Sequence, residues 1–408
     1  MTPKKTTIKS DTLRVTELLT QEEKLAFKHP SKRFVIGIPA EESNEENRIA
    51  LTPLTVDLLI NNGHEVLIQS NAGKAANFFD HQFSDAGAII VKNKEEIFAQ
   101  SDVLVKVSPL TDAEIGLMHE GQILLSILHV HTKNRDYIQR LIQKRVTCIA
   151  FEYLKDENDC YPIVRSMSEI AGNTSILIAA EYLSNAHHGK GEMLGGITGV
   201  NPSEVVILGA GTAGEYAART ALGLGAIVKI FDTSAYKLKR LQNNIGQRIY
   251  TSVIHPVVLA NALKTADVLI GALRVLEQGP RFYVTEEMIK LMKKGSVVID
   301  ISIDQGGCIE TSRLTTHASP VFEKFGVVHY GVPNIASRVS RTASYALSNI
   351  LAPLILDLGY AGSINNLIKQ NKGYRNGVYV FNGILTNPYI GEIFDLQYKP
   401  IDLLLAAF

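Results

Sequence analysis

Residues 205–232 read VVILGAGTAGEYAARTALGLGAIVKIFD, and this stretch narrows the possible folds more than any other. An apolar β-branched run breaks at Gly209, Gly211 and Gly214, a helical pattern follows, and a second apolar run ends on Asp232. Strand, glycine turn, helix and strand in that order make a βαβ unit, whose two strands must lie parallel in one sheet because the helix has to cross over to start the second. Each glycine in G-x-G-x-x-G has a task there: a tight turn, a bare backbone able to approach a phosphate, and close packing of helix on strand. The unit therefore points to a dinucleotide bound at the N-terminus of a helix. A carboxylate at Asp232 accepts a hydrogen bond from a free ribose 2′-hydroxyl and repels a 2′-phosphate, which favours NAD over NADP. Lys237 and Arg240 follow on the next helix; their plain role is as solvated surface charges, and Lys237 is carried among the cofactor residues because a cation there would temper that preference.

The same alternation runs along most of the chain. FVIGI, EVLIQ, DVLVKV, QILLSIL and TCIAFEYL are short buried strands separated by helical stretches, and EVVILGAG, AIVKIFD, DVLIGAL and SVVIDISI repeat the scheme. This predicts an α/β protein of two Rossmann-like, doubly wound domains with the active cleft between them. Residues 1–33 are polar and weakly periodic and read as an N-terminal extension. Residues 34–165 form the first unit and 166–339 the dinucleotide-binding unit. Residues 340–408 hold one strong helix and too little else to fold alone, so they are expected to return to the first unit. Between the two units lies SMSEIAGNTSILIAAEYLSNA, a buried connecting helix with Ser168 as its candidate cap.

Forty-one basic residues balance 41 acidic ones, which removes the electrostatic case for nucleic acid or an anionic membrane as a partner. The three cysteines, Cys148, Cys160 and Cys308, are widely spaced and read as free thiols of a reducing compartment, not as a disulfide frame or metal site. No apolar run approaches the length of a membrane span. The expected location is cytoplasmic.

Four ionisable residues stand where α/β sheets place ligands, at the carboxyl ends of strands: Arg48 in EENRIALTP, Lys106 in VLVKVSP, His129 in ILLSILHVH and Asp304 in VVIDISIDQGGC. Taken singly each has an ordinary structural explanation, such as a satisfied core histidine or a lysine that snorkels. Asp300 in the same tract is read as a carboxylate that satisfies nearby backbone donors. Together with a cofactor loop, the four suggest one site. Imidazole titrates near neutral pH, so His129 is the candidate acid/base, with His131 two residues on as the alternative.

These motifs resemble bacterial alanine dehydrogenase, whose fold is shared with the NAD-binding component of proton-translocating transhydrogenase. The resemblance runs from Phe34 to about Leu385 and rests on GIPAEESNEENRIALTP, VLVKV, the His of ILH, SMSEIAG, GAGTAG, VVIDISIDQGGC and the YALSN helix. It implies NAD-dependent, reversible oxidative deamination of L-alanine to pyruvate and ammonia by a homo-oligomer, such as a hexamer. It implies His129 and Asp304 as catalytic residues, Arg48, Lys106 and Asn334 as substrate-binding residues, and Ser168 as a residue lining the cofactor cleft. The alternatives are a dehydrogenase for another small amino or 2-oxo acid, and a catalytically silent NAD-binding module of the transhydrogenase kind. The chain departs from the family where KVSPL stands for KVKEP, His131 for an alanine, RVLEQGPR for VLVPGAKAP, and VPNIASRVSRT for ANMPxxVPxT. These changes border the cleft and bear on its side-chain pocket more than on the reaction class.

Overall fold

The computed structural model describes residues 30–187, 189–274 and 281–406. The extension expected over residues 1–33 therefore lies, up to residue 29, outside the described residues. Two sheets organise the chain. The first contains β1 (Val35–Ile38), β2 (Glu65–Gln69), β3 (Ile89–Val91), β4 (Val103–Val105), β5 (Ile123–Ser126) and β6 (Thr147–Ala150), all mutually parallel. The second contains β7 (Glu204–Leu208), β8 (Ile227–Asp232), β9 (Tyr250–Val253), β10 (Val268–Gly271), β11 (Val297–Asp300), β12 (Val321–Lys324) and β13 (Val327–Tyr330). It runs β12-β13-β11-β10-β7-β8-β9, parallel except for the β12–β13 hairpin. The chain then returns: β14 (Val378–Phe381) pairs antiparallel with β6, and β15 (Ile384–Leu385) with β14, so the first sheet reads β15-β14-β6-β5-β4-β1-β2-β3.

The central strands are short and almost wholly apolar, as parallel strands covered on both faces must be. In each sheet the strand order reverses once, between β1 and β4 and between β7 and β10. That reversal splits the flanking connections to opposite faces and opens a crevice beyond the strand ends, the usual ligand position of open α/β sheets. The edge strands β3 and β9, which escape the sequence pattern, are half-exposed, with too few buried positions to produce an apolar run.

Three helices set the frame: α1 (Pro162–Leu183), α2 (Thr212–Gly223) and α3 (Ser340–Ala361). α1 begins at Pro162 after Tyr161, a favoured place for proline because its missing N–H has no partner there anyway. Ser168 therefore sits inside the helix and is not its cap, which corrects the sequence reading. Gly172 explains the glycine of SMSEIAG: a Cβ there would lie 2.3 Å from the Ala213 carbonyl, so α1 packs on the first turn of α2 only because that side chain is missing. α3 buries Leu347, Leu351, Leu354, Ile355 and Leu358 in one core with Ile36 and Val105 of the first sheet and Phe151 just past β6, which ties the C-terminal segment to that sheet's core. Truncating Leu351 to Ala should lower the unfolding free energy by about 2–5 kcal/mol, the range for emptying a fully buried leucine site. Denaturant unfolding followed by circular dichroism measures it, and a change under half a kcal/mol would contradict the packing described.

Candidate active site

The loop after β1 carries the first part of the site, and serines hold its backbone in place. Asn47 N–H donates to Ser337 Oγ (2.7 Å), Ile49 N–H to Ser344 Oγ (2.9 Å) and Thr52 N–H to Ser348 Oγ (3.0 Å). The last two acceptors lie on α3, so its sequence fixes a loop nearly 300 residues earlier in the chain. On that loop Arg48 is buried and donates to both oxygens of Glu46, from Nε at 2.7 Å and Nη2 at 2.6 Å. The Arg48 charge and its hydrogen bonds, outweighing the burial that opposes them, hold the Glu46 carboxyl below the usual range. Among the described residues Arg48 Nη1 meets only the Met167 thioether, at 3.3 Å, a weak acceptor.

Asn334, just after β13, donates from Nδ2 to Glu46 Oε2 (3.0 Å) and to the Glu45 carbonyl (3.2 Å). His317 completes the crossing by donating its backbone N–H to Glu45 Oε2 (2.8 Å) and its ring Nε2–H to the Asn334 carbonyl (3.1 Å). The first and second domains thus meet through the group that holds Arg48.

Lys106 lies one residue past β4 instead of within a strand. Its Nζ is buried and bonded to both oxygens of Glu114, at 2.9 and 2.7 Å, and Glu114 also accepts from Lys94 (3.1 Å). Glu41 receives Val107 N–H at 2.7 Å. Burial pushes its carboxyl up to about 7, against the pull of Lys106 and with a further push from Glu46.

His129 corrects the sequence reading in a second way. β5 stops at Ser126, and His129 stands in the left-handed region (φ +49°) ahead of a short 3-10 turn over Val130–Thr132. A non-glycine residue is held there at some cost. The holder is Glu152, whose Oε1 accepts from the N–H groups of both Leu128 (2.9 Å) and His129 (3.0 Å). The imidazole is open to water on one side and crowded by protein on the others. Burial, with the positive charge of Arg48, pushes it down to about 4. The imidazole is therefore neutral at pH 7. His131 lies in the turn, exposed, with its ring edge-on to Tyr389 at 6.2 Å; the two histidines do not share a strand face.

In the second domain, β11 ends at Asp300, and Asp304 belongs to a following 3-10 turn, so it does not end the strand as expected. Asp300 is the reason. Its fully buried carboxylate accepts from Ser302 N–H (3.1 Å), Ser302 Oγ (2.7 Å), Cys308 N–H (3.0 Å) and Ile309 N–H (3.3 Å), folding the segment 301–308 back on itself. Gly307 (φ +74°) has no room for a side chain, since a Cβ would sit 2.8 Å from Asp300 Oδ2. Asp304 is left exposed on this loop, its carboxyl raised by the crowding around it against a hydrogen bond with Gln305 and the charge of Arg274. Arg274 bonds Gln305 and its charge also acts on Tyr153, after β6 of the first domain.

The glycine loop follows β7. Gly209 has φ +106°, and a Cβ on it would lie 2.4 Å from the Ala272 carbonyl; a Cβ on Gly214 would lie 1.8 Å from the Gly209 carbonyl. A Cβ on Gly211 would meet nothing within 4 Å. The first turn of α2 has no side-chain cap, so its free N–H groups and the open space at Gly211 fit a dinucleotide pyrophosphate. Asp232 is fully buried and accepts from Ala210 N–H (2.7 Å) and Ser234 N–H (2.8 Å). Lys237 is exposed on the next helix.

The alanine dehydrogenase/PNT N-terminal domain family matches residues 37–171, and its C-terminal counterpart matches residues 175–388. The chain belongs to the alanine dehydrogenase/PNT family. Among its relatives, alanine dehydrogenase of Methanococcus maripaludis is 39% identical over 370 residues, covering 90% of this chain and 99% of that protein. Alanine dehydrogenase 2 of Staphylococcus aureus is 39% identical over 369 residues, 90% of this chain and 98% of that one. A solved L-alanine dehydrogenase structure aligns at a TM-score of 0.83 with 36% identity, over 88% of this chain and 99% of that chain. A transhydrogenase from Sinorhizobium meliloti, at 24% identity and a TM-score of 0.73, shares the fold.

Sequence reasoning missed the carboxylates Glu41, Glu46, Glu114 and Glu152. The available signal was that a cation in a buried run needs an anion nearby, and Glu46 stands two residues from Arg48. The Glu114 carboxyl is held below the usual 4.5 by the Lys106 charge despite burial. Its contribution to stability is therefore complete above pH 4.5 and lost as pH falls through the lower folded value. Glu114→Gln should cost about 3–5 kcal/mol at pH 7 by leaving Lys106 buried without a counter-charge, and it should flatten the acid limb of stability below pH 4.5. Urea unfolding from pH 3 to 7 tests both; equal slopes in the two proteins would refute the ion pair's role.

Proposed function

We propose that this protein is an NAD-dependent amino-acid dehydrogenase that converts L-alanine to pyruvate and ammonia, reversibly. The observation that carries the reading is the hydrogen-bonded bridge Arg48–Glu46–Asn334, with His129 close enough to feel the Arg48 charge, which supports a cleft lined by a cation, the His129 loop and the nucleotide-side loop. Near full-length relatives named alanine dehydrogenase support it. We assign residues 34–165 with 340–408 to the substrate domain and 166–339 to the NAD domain, and take the enzyme to act as a cytoplasmic homo-oligomer.

NAD, when bound, supplies the acceptor for the hydride that leaves Cα. The chain's own residues do the rest. Arg48 presents Nη1 to the substrate carboxylate, which displaces the Met167 sulfur as its acceptor. Neutral His129 takes a proton as water adds to the iminium carbon, gives it to the amine, and then takes the hydroxyl proton as ammonia leaves and the 2-oxo group forms. The bound carboxylate stabilises the imidazolium between those steps. Asp304, on a loop stiffened by Asp300, orients water or the amine from the opposite side. Asn334 keeps Arg48 and the nucleotide-side loop in register, and Ser168 lines the cleft from α1. Asp232 keeps lone pairs beyond those taken by Ala210 and Ser234 N–H, and accepts from a ribose hydroxyl once the residues that bury it move aside; Lys237 is exposed on the following helix.

A second reading, the same reaction on another small amino acid, is favoured by Lys106, whose Nζ is committed to Glu114. NADH formation and consumption across a panel of small amino acids and 2-oxo acids with ammonia separates these readings, and activity on none of them would leave only a silent NAD-binding module.

Three outcomes are expected. His129→Ala should bind NADH normally, by fluorescence, while turnover falls roughly 10²-fold or more; loss in His131→Ala instead would move the role two residues on. The acid limb of kcat/KM that belongs to His129 should lie below the usual 6.5 of imidazole, towards 4, since protonation removes the base. NAD should be used far better than NADP, with Asp232→Ala eroding the preference, and equal efficiency in the unmutated enzyme would refute it.

A further inference from the structure

The two cations that the sequence assigns to the substrate are already answered by carboxylates: Arg48 by both oxygens of Glu46, and Lys106 by both oxygens of Glu114. A 2-amino acid adds another carboxylate to a partly dry cleft, and burying an anion without a matching charge is costly. Arg48 has one N–H direction to spare. Lys106 has a buried side chain turned wholly into its ion pair.

Lys133 differs from both. It is the residue that ends the 3-10 turn begun at His129, half-buried, with Nζ 4.8 Å from the centroid of the Tyr137 ring. That ring is held by the helix Arg135–Gln143, whose cap Asn134 accepts from Tyr137 N–H at 2.9 Å. Among the described residues Lys133 is in no ion pair, and the acid whose charge acts on it, Asp112, is itself paired with Arg140 at 3.1 Å. Burial draws the ammonium below its usual range, Asp112 opposes that, and Lys106 adds to it; the Lys133 charge in turn acts on His129. A lysine stacked on an aromatic face, beside the acid/base and without a carboxylate, is a cation waiting for an anion.

We propose that Lys133, not Lys106, is the ammonium that binds the substrate, meeting its carboxylate or 2-oxo oxygen opposite Arg48, while Lys106 acts as a structural counter-charge for Glu114. This rests on the amino-acid dehydrogenase reading above and names a binding residue within it.

The test is steady-state kinetics on the full-length enzyme with L-alanine and with pyruvate plus ammonia, comparing the unmutated protein with Lys133→Met, Lys133→Gln and Lys133→Arg. Loss of one charge-assisted contact should raise KM by about 10- to 100-fold in the Met and Gln variants. The NADH dissociation constant should stay within about twofold, and Lys133→Arg should recover most of the loss. Thermal melting identifies a variant that folds poorly, and the other uncharged one is then read. A KM in both uncharged variants within about twofold of the unmutated enzyme overturns the inference alone. If the unmutated enzyme turns over no amino or 2-oxo acid, the reading of function fails first and takes the inference with it.

Discussion

The site depends on one charge-assisted fork, the pairing of Arg48 with Glu46. A guanidinium this deeply buried is stable only with a partner that matches its planar geometry, and Glu46 supplies two oxygens at hydrogen-bond distance. The same carboxylate accepts from Asn334 of the second domain. Substrate-side electrostatics and domain register are therefore properties of one small network, so changing either charged member alters the charge of the cleft and its shape together.

Buried acids do most of the shaping elsewhere. Asp300 turns the backbone after β11 so that Asp304 emerges on a fixed loop, Glu152 holds His129 in a conformation the residue would not choose alone, and Asp232 joins the end of β8 to the glycine loop. In each case the carboxylate collects main-chain N–H groups that no strand or helix satisfies. These are the means by which the irregular loops at the strand ends become rigid enough to carry chemistry.

Much of the fold was legible in the sequence, because parallel strands buried on both faces leave continuous apolar runs and the glycine loop has few other uses. β2 coincides with EVLIQ, and β8 with AIVKIFD less its first residue. The hairpin β12–β13 was not legible: its turn uses Phe325 and Gly326, both at positive φ, and a phenylalanine in that position gives no turn signal. Of the site, the cations and His129 stood out as charged or titratable residues at strand ends, whereas their counter-ions lie in loops and helices where an acid looks like ordinary surface.

The sequence by itself determined the α/β class, the two-unit alternation and the dinucleotide loop, since these follow from local periodicity and from glycines whose backbone demands are local. Only the tertiary structure decided which charges are free. Whether Lys106 or Lys133 can meet an anion depends on Glu114 lying against one and not the other, and on which loops α3 draws to the first sheet. Pairing of that kind is a matter of distance and dielectric between residues remote in the chain, and no local pattern encodes it.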